Sequence, residues 1–227
     1  MLKSAQIQKS IVLALAIFAG LHLFGQEKDA GLWTSLGIET GIAKRFNLSL
    51  VQEFRFHENI SELGTSFTDV GLDYKLNKHF QVAANFRFIQ KRKTNNSFSY
   101  RYRPYLDIKY TSKIKPIEFA IRCRIQDEIA DVGRAADGGV PEYYLRNKFS
   151  LSLDRKKLLS PYISAEFFSP LNFPRSTIID NIRTSVGLKY ALSKHNEFEM
   201  YYMIQKEVQV SNPRTDFIIG LGYYHKI

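Results

Sequence analysis

Long runs of alternating apolar and polar residues are the feature that most constrains this fold. Between Phe46 and His57, apolar side chains such as Leu48 and Phe54 share one parity, and polar side chains such as Arg55 share the other. The same alternation recurs in successive segments as far as the C-terminus. A period of two is the signature of strands that present two different faces, so the chain is predicted to be all-β.

Eleven segments carry this pattern. Bacterial single-chain barrels have an even number of strands, and the parity of the turns makes the first and last segments run in the same direction. Either the first segment lies partly outside the wall, or one strand has been merged or split, so the prediction is 10–12 strands. The segments are 31–42, 46–58, 66–76, 79–91, 98–111, 117–129, 142–154, 160–168, 179–192, 197–208 and 214–227.

Two architectures fit such strands: a soluble sandwich and a membrane barrel. Most segments reach the 9–11 residues, roughly, that a tilted strand needs to cross a bilayer. Their polar faces carry both charge signs, and aromatic residues such as Phe46, Tyr74 and Tyr223 lie near the ends of their apolar faces. Short links such as 43–45 alternate with longer ones such as 130–141. We predict an antiparallel up-and-down transmembrane β-barrel with short periplasmic turns and longer outer loops.

The first 25 residues have the composition of a secretion signal. Lys3 and Lys9 precede an apolar run that extends to Phe24, and Gly25 is a small residue suited to a cleavage site. Residues 1–25 are therefore predicted to be a signal peptide and 26–227 the barrel, with an N-terminal membrane anchor as the alternative. The expected location is the outer membrane of a Gram-negative bacterium, with outer-membrane lipids as partners.

The chain is basic, with 32 Lys and Arg against 22 Asp and Glu. Its charges are scattered instead of clustered, and a secreted chain rarely meets nucleic acid, so no nucleic-acid partner is predicted. The single cysteine, Cys123, excludes an intramolecular disulfide and is predicted to face lipid. The sequence contains no metal or phosphate-binding motif, so no metal and no cofactor are predicted.

Several short motifs resemble those of one family. They are Leu32-Trp33-Thr34-Ser35-Leu36, Glu53-Phe54-Arg55, Gly71-Leu72-Asp73-Tyr74, Tyr100-Arg101-Tyr102-Arg103, Arg122-Cys123-Arg124, Glu166-Phe167-Phe168, Arg183 and Gly220-Leu221-Gly222-Tyr223. The chain is similar, over nearly all of the predicted barrel, to the secreted barrels of the domain of unknown function 2490 family (DUF2490). This resemblance implies an outer-membrane barrel and brings no activity with it.

The densest group of charges falls on the polar faces, which in a barrel line the lumen. We predict a basic band of Arg101, Arg103, Arg122, Arg124, Arg146 and Arg183, paired in part with Glu53, Glu128, Glu166 and Glu199. Because an unpaired buried charge is costly, the first interpretation is a salt-bridged interior that holds the barrel's shape. The alternative is a narrow pore selective for small anionic solutes.

A lipid-modifying hydrolase is the competing class of function. His57 lies beside Glu58 near a predicted outer rim, with Ser61 and Ser66 close in sequence. Rim histidines are usually just solvated, and the chain has no G-x-S-x-G motif. The sequence therefore predicts a protein that is not an enzyme.

Overall fold

A single sheet that closes on itself makes up the described part of the chain, residues 28–130, 142–153, 159–172 and 178–227 of a computed structural model. Within those ranges, no helix is long and apolar enough to cross a membrane. The predicted signal peptide and the predicted loop after Ala130 lie outside the described residues. The strands are β1 (Lys28–Ala43), β2 (Phe46–His57), β3 (Glu62–Lys75), β4 (Phe80–Arg92), β5 (Phe98–Ile114), β6 (Ile117–Ala130), β7 (Glu142–Leu153), β8 (Leu159–Pro170), β9 (Asn181–Ala191), β10 (Asn196–Glu207) and β11 (Thr215–Lys226).

The eleven predicted strands are all present in the described ranges. Their bounds move by at most four residues, as at β3, which begins at Glu62 instead of residue 66. No strand is merged, split or left outside the wall among these residues, so the barrel has an odd strand number. The all-β barrel predicted from the alternation is therefore confirmed.

Closure of the barrel departs from a purely antiparallel pattern. Each strand pairs antiparallel with its sequence neighbours, but β1 and β11 pair in parallel, from Lys28 opposite Thr215 to Glu39 opposite Lys226. An odd number of up-and-down strands makes the first and last run in the same direction, so their contact has to be parallel. This parallel contact between β1 and β11 is here called the seam. A small core of Trp33, Met203 and Ile218 lies inside the barrel beside the seam.

The two faces of the wall have opposite chemistry. Leu36, Leu106 and Val186 point outward and each exposes more than half of its surface. The residues of the other parity point inward, where Arg124 and Glu166 are buried. A soluble sandwich buries its apolar face, whereas this chain encloses its polar face and exposes its apolar one. That arrangement is the one a transmembrane β-barrel requires.

Aromatic residues cluster where the strands end. At the end formed by the short turns, the Phe46 and Tyr74 rings lie 4.6 Å apart between centroids. The Phe80 and Tyr110 rings lie 5.0 Å apart at the same end. Such girdles mark the two interfaces of a membrane barrel. Cys123 has the outward parity of β6, as predicted, and its side chain is partly exposed.

Candidate functional site: an arginine-lined lumen

Inside the barrel, aromatic rings alternate with arginine side chains from neighbouring strands. The guanidinium carbon of Arg55 lies 3.5 Å from the ring centroid of Trp33 and 4.9 Å from that of Phe67. Arg87 follows, 3.8 Å from Phe67 and 5.7 Å from Tyr105. A cation over an aromatic ring is stabilised by about 2 kcal/mol when water is excluded from the contact.

The same alternation continues on the other side of the lumen. The Phe168 ring lies 4.2 Å from the guanidinium carbon of Arg146 and 4.6 Å from that of Arg183. Arg183 also approaches Trp33, at 5.2 Å, which brings the series back to its start. The residues of this arginine–aromatic belt are Trp33, Arg55, Phe67, Arg87, Tyr105, Arg124, Arg146, Phe168 and Arg183.

Carboxylates fix most of the predicted arginines in place. Arg101 Nη1 donates to Glu128 Oε1 at 2.7 Å, and Arg103 Nε donates to Glu128 Oε2 at 3.0 Å. Arg124 forms a two-point contact, with Nε and Nη2 each 2.7 Å from an oxygen of Asp107. Paired charge-assisted hydrogen bonds of this kind hold a guanidinium in one orientation.

Glu166 is the carboxylate that joins three strands. Its Oε1 accepts hydrogen bonds from Arg122 Nη2 on β6 at 2.5 Å and from Arg146 Nε on β7 at 3.0 Å. Arg183 on β9 lies directly opposite Glu166 in the strand register. Glu166 and Arg146 each expose only 5% of their surface, so both charges are held away from bulk water.

Two of the predicted carboxylates have other partners than the predicted arginines. Glu53 Oε1 accepts from Arg55 Nε at 2.6 Å, two residues away on the same strand, and its Oε2 accepts from Ser35. Glu199 lies opposite Lys189 in the register, and among the described residues it forms no salt bridge with an arginine. Among the described residues, Glu53 and Glu199 thus lie next to other groups than the arginines of the predicted band, because parity assigns a face but not a height along the lumen.

A polar cavity of about 390 Å³, here called the vestibule, lies between the belt and the short-turn end. Its cationic lining residues are Lys109, Arg122, Lys148 and Lys189, and its acidic ones are Glu118, Glu197 and Glu199. Hydroxyl groups of Ser150, Ser152, Ser160 and Tyr162 complete its polar wall. Short serine side chains leave room at this level, whereas the belt fills the level above it.

The belt aromatics were not predicted, although the signal was present in the sequence. Trp33, Phe67, Tyr105 and Phe168 all have the parity of the polar face, next to residues such as Ser35 and Glu166. An aromatic residue on the polar parity of a barrel strand is a candidate partner for a lumen arginine. Asp107, which binds Arg124, also has the lumen parity but was not among the carboxylates predicted to pair with the basic band.

The hydrolase candidate residues do not form a nucleophile and base pair in the described structure. His57 Nδ1 lies 3.8 Å from Asp29 Oδ2, and the Ser61 hydroxyl donates to the backbone oxygen of Glu58 at 2.6 Å. Ser66 points outward and donates to Gln90. Among the described residues there is also no group of three or more His, Cys, Asp or Glu placed to hold a metal ion.

The model of the family described as Protein of unknown function (DUF2490) matches residues 30–216. The chain belongs to this family. A search of curated proteins finds no match to this chain.

Solved structures similar to this DUF2490 chain are membrane barrels. The NanC porin is 15% identical, with 78% of this chain and 85% of that chain covered and a TM-score of 0.49. The KdgM porin is 19% identical, with coverage of 76% and 82% and a TM-score of 0.44. LpxR from Salmonella typhimurium is 7% identical, with coverage of 79% and 83% and a TM-score of 0.47. Because these TM-scores are below 0.5, the similarities assign neither a ligand nor an activity to this chain.

Proposed function

We propose that this protein is a barrel of a Gram-negative outer membrane, inserted after removal of residues 1–25, whose lumen accepts small anionic solutes. In this proposal the short-turn end faces the periplasm, the vestibule opens toward that side, and the belt closes the lumen above it. The protein is then a gated, solute-binding barrel instead of an open diffusion pore.

The excess of arginine over carboxylate at the closed level carries the proposal. Eight lumen arginines face five carboxylates that bind them there, an excess of three positive charges. Lys91 and Glu142, at the level of Glu128, offset each other in this count. The salt-bridged pair of Arg214 and Asp216 adds no net charge. A confined positive field attracts anions and repels cations, because the low-dielectric wall screens it poorly. The arginines are Arg55, Arg87, Arg101, Arg103, Arg122, Arg124, Arg146 and Arg183, and the carboxylates are Glu53, Asp69, Asp107, Glu128 and Glu166.

Burial of the belt side chains supports a closed resting state. Trp33, Tyr105, Arg124 and Arg146 expose between 5% and 6% of their surface, although all four point into the lumen. Side chains that are this buried leave little room for a continuous column of water. Side chains just fill the interior of a barrel of about eight strands, so this wider barrel needs large side chains to close it, and the arginines and aromatic rings of the belt supply them.

Recordings from the purified protein in planar bilayers test the proposal. We expect the wild type to show no steady conductance, and Phe168→Ala to show anion-selective currents, because that change removes the ring between Arg146 and Arg183. Phe167→Ala is the matched control, since Phe167 immediately precedes Phe168 on β8 and has the lipid-facing parity. Steady wild-type currents would contradict the closed state, and cation-selective currents in Phe168→Ala would contradict the anion preference.

Location is tested separately. We expect the protein to sediment with outer membranes, and detergent-purified protein to show strand and little helix by circular dichroism. Recovery in the soluble periplasm after mild lysis would contradict membrane insertion.

We propose further that the barrel has no hydrolase activity of its own. The serine contacts support this, because Ser61 donates to a backbone oxygen and Ser66 donates to Gln90 on the outer face, and neither hydroxyl is hydrogen-bonded to His57 among the described residues. Lipid analysis of a deletion strain is the test. A change in lipid acylation that the wild-type gene reverses would make the hydrolase the better interpretation.

A further inference from the structure

Three cationic side chains lie side by side on three neighbouring strands of the vestibule wall. In the strand register, Lys109 on β5 faces Arg122 on β6, and Arg122 faces Lys148 on β7. All three line the same cavity. Directly opposed side chains on one face of a sheet stand about 5 Å apart, and like charges at that distance destabilise the sheet. The row therefore has an electrostatic cost. Glu166 lies opposite Lys148 in the register of β7 and β8 and offsets part of this cost, but its Oε1 is already shared by Arg122 and Arg146.

Few protein groups compensate this row. Arg122 shares Glu166 with Arg146, and its buried Nε has no hydrogen-bond partner. Neither Lys109 nor Lys148 has a salt bridge or a hydrogen bond to a described residue. The two ammonium groups therefore remain available to a ligand, and Arg122 adds positive charge between them.

The carboxylates of the vestibule are mostly engaged elsewhere. Glu197 pairs with Lys189 at 3.4 Å, and Glu118 pairs with Lys113 at 2.7 Å. Glu199, on β10, lies opposite Lys189 in the register. Two of the three vestibule carboxylates thus lie next to Lys189, and none of the three forms a salt bridge with the row on β5–β7 among the described residues.

Next to the cationic row, the wall is lined with hydroxyl groups. Ser150, Ser164 and Ser185 are opposite one another on β7, β8 and β9, and the Ser164 and Ser185 oxygens lie 2.7 Å apart. Ser150 and Ser152 both line the cavity. Such a wall offers donors and acceptors to a hydroxylated ligand, and its short side chains leave space for one.

We infer that the vestibule holds a binding site for a phosphate monoester, with its phosphate on Lys109, Arg122 and Lys148 and its hydroxylated body against Ser150 and Ser152. This inference rests on the proposed function and specifies its ligand. Two lysines without a salt bridge to a described residue match two negative charges, and a phosphate monoester is close to a dianion at neutral pH. A volume of about 390 Å³ accommodates a small solute of this kind.

Binding to the full-length protein in detergent at pH 7.5 tests the inference, with inorganic phosphate and glycerol 1-phosphate as probes and acetate and glycerol as comparisons. We expect saturable binding of both phosphates, and much weaker binding of acetate and glycerol. In Lys148→Gln and in Lys109→Gln we expect the affinity for glycerol 1-phosphate to fall at least about tenfold, because each change removes a charge-assisted hydrogen bond.

Lys189→Gln is the matched control, since it removes one positive charge from the same cavity but at a lysine that is paired with Glu197. We expect it to change the affinity less than about threefold, because the net charge changes equally but the proposed contact is kept. Unheated electrophoretic mobility verifies that each variant is folded, and Lys109→Gln, the more exposed position, serves if Lys148→Gln does not fold.

Three results would overturn the site: no saturable phosphate binding, acetate binding as tight as phosphate, or losses in the lysine variants no larger than in Lys189→Gln. The bilayer recordings test the proposed function, and their outcome does not depend on the phosphate site. Phosphate binding with the expected variant pattern, alongside Phe168→Ala currents that lack anion selectivity, would retain the site and contradict the proposed anion preference of the lumen. Anion-selective currents without phosphate binding would do the reverse.

Discussion

Replacing Glu166 with glutamine is the most direct test of the lumen electrostatics. Its carboxylate accepts from Arg122 at 2.5 Å and from Arg146 at 3.0 Å, while Arg183 lies opposite in the register. Glu166→Gln keeps the shape and one acceptor oxygen but removes the negative charge. Three guanidinium groups from neighbouring strands then lie close together without their shared counter-charge.

The size of the effect follows from burial. The side chains of Glu166 and Arg146 are each 7% exposed, so solvent screening is slight. Removing one partner of a buried ion pair costs about 3–5 kcal/mol. Since the amide oxygen of glutamine still accepts one hydrogen bond, we expect the lower end of that range, about 3 kcal/mol. Equilibrium denaturation of the folded barrel in lipid vesicles measures this change in the free energy of unfolding.

Glu197→Gln is the matched control, because it removes the same charge from a carboxylate paired with Lys189. That pair is 3.4 Å apart and its side chains are 44% and 36% exposed, so water screens it and the cost is below about 1 kcal/mol. If Glu166→Gln destabilised the barrel by no more than Glu197→Gln, the joining role of Glu166 would be wrong. Anion currents in a still-folded Glu166→Gln barrel would be the expected second effect.

Two further substitutions test the assignment of faces and the packing of the wall. Leu151→Arg should destabilise the barrel by about 2–4 kcal/mol because Leu151 faces lipid, whereas Ser152→Asn on the lumen face should be tolerated; equal sensitivity in denaturation would contradict this assignment. Gly220→Ala should cost about 1–3 kcal/mol, because the added methyl group would overlap the Tyr201 ring. Gly41→Ala, whose nearest neighbouring atom is 3.8 Å away, is its control, and a similar melting temperature for both variants would refute the packing argument.

The strands were predictable because each one carries its own signal. Alternation fixes which residues share a face, and the turns fix where a strand ends, so both are local in sequence. Closure is not local: whether Lys28 meets Thr215 depends on two segments that are far apart in the chain. The parity of the turns did indicate that both segments run in the same direction. The even number typical of bacterial barrels argued against the parallel contact that the structure contains.

The lumen was predictable by face but not by height. Glu128 does bind Arg101 and Arg103, because these residues are close in the register of β5 and β6. Glu53 binds Arg55 instead of a more distant arginine, since the stagger of the strands sets the level of each side chain. That stagger depends on the shear of the closed barrel, which no single strand encodes. The vestibule is invisible in the sequence for the same reason.

The substitution Trp33→Ala tests two roles of one side chain. One role is to block the lumen, and the other is to stabilise the contact between β1 and β11. Trp33 contacts Arg55 in the belt and packs with Met203 and Ile218 beside the parallel seam. Parallel pairing is slightly less stable per residue than antiparallel pairing, so the seam depends on such contacts. Removing a buried aromatic side chain costs about 3–5 kcal/mol, and here the loss falls on the seam itself.

Phe168 contacts belt arginines but lies on β8, away from the seam. We therefore expect Trp33→Ala both to open the lumen to anions and to increase hydrogen exchange along β1 and β11, whereas Phe168→Ala should open the lumen and leave exchange at the seam unchanged. Each end of the seam is also held by a salt bridge. Arg214 binds Asp29 at 2.8 Å at one end, and Lys226 lies 3.6 Å from Glu39 at the other. Faster exchange should consequently be greatest in the middle of β1. Unchanged exchange there in Trp33→Ala would show that Trp33 closes the lumen without holding the wall together.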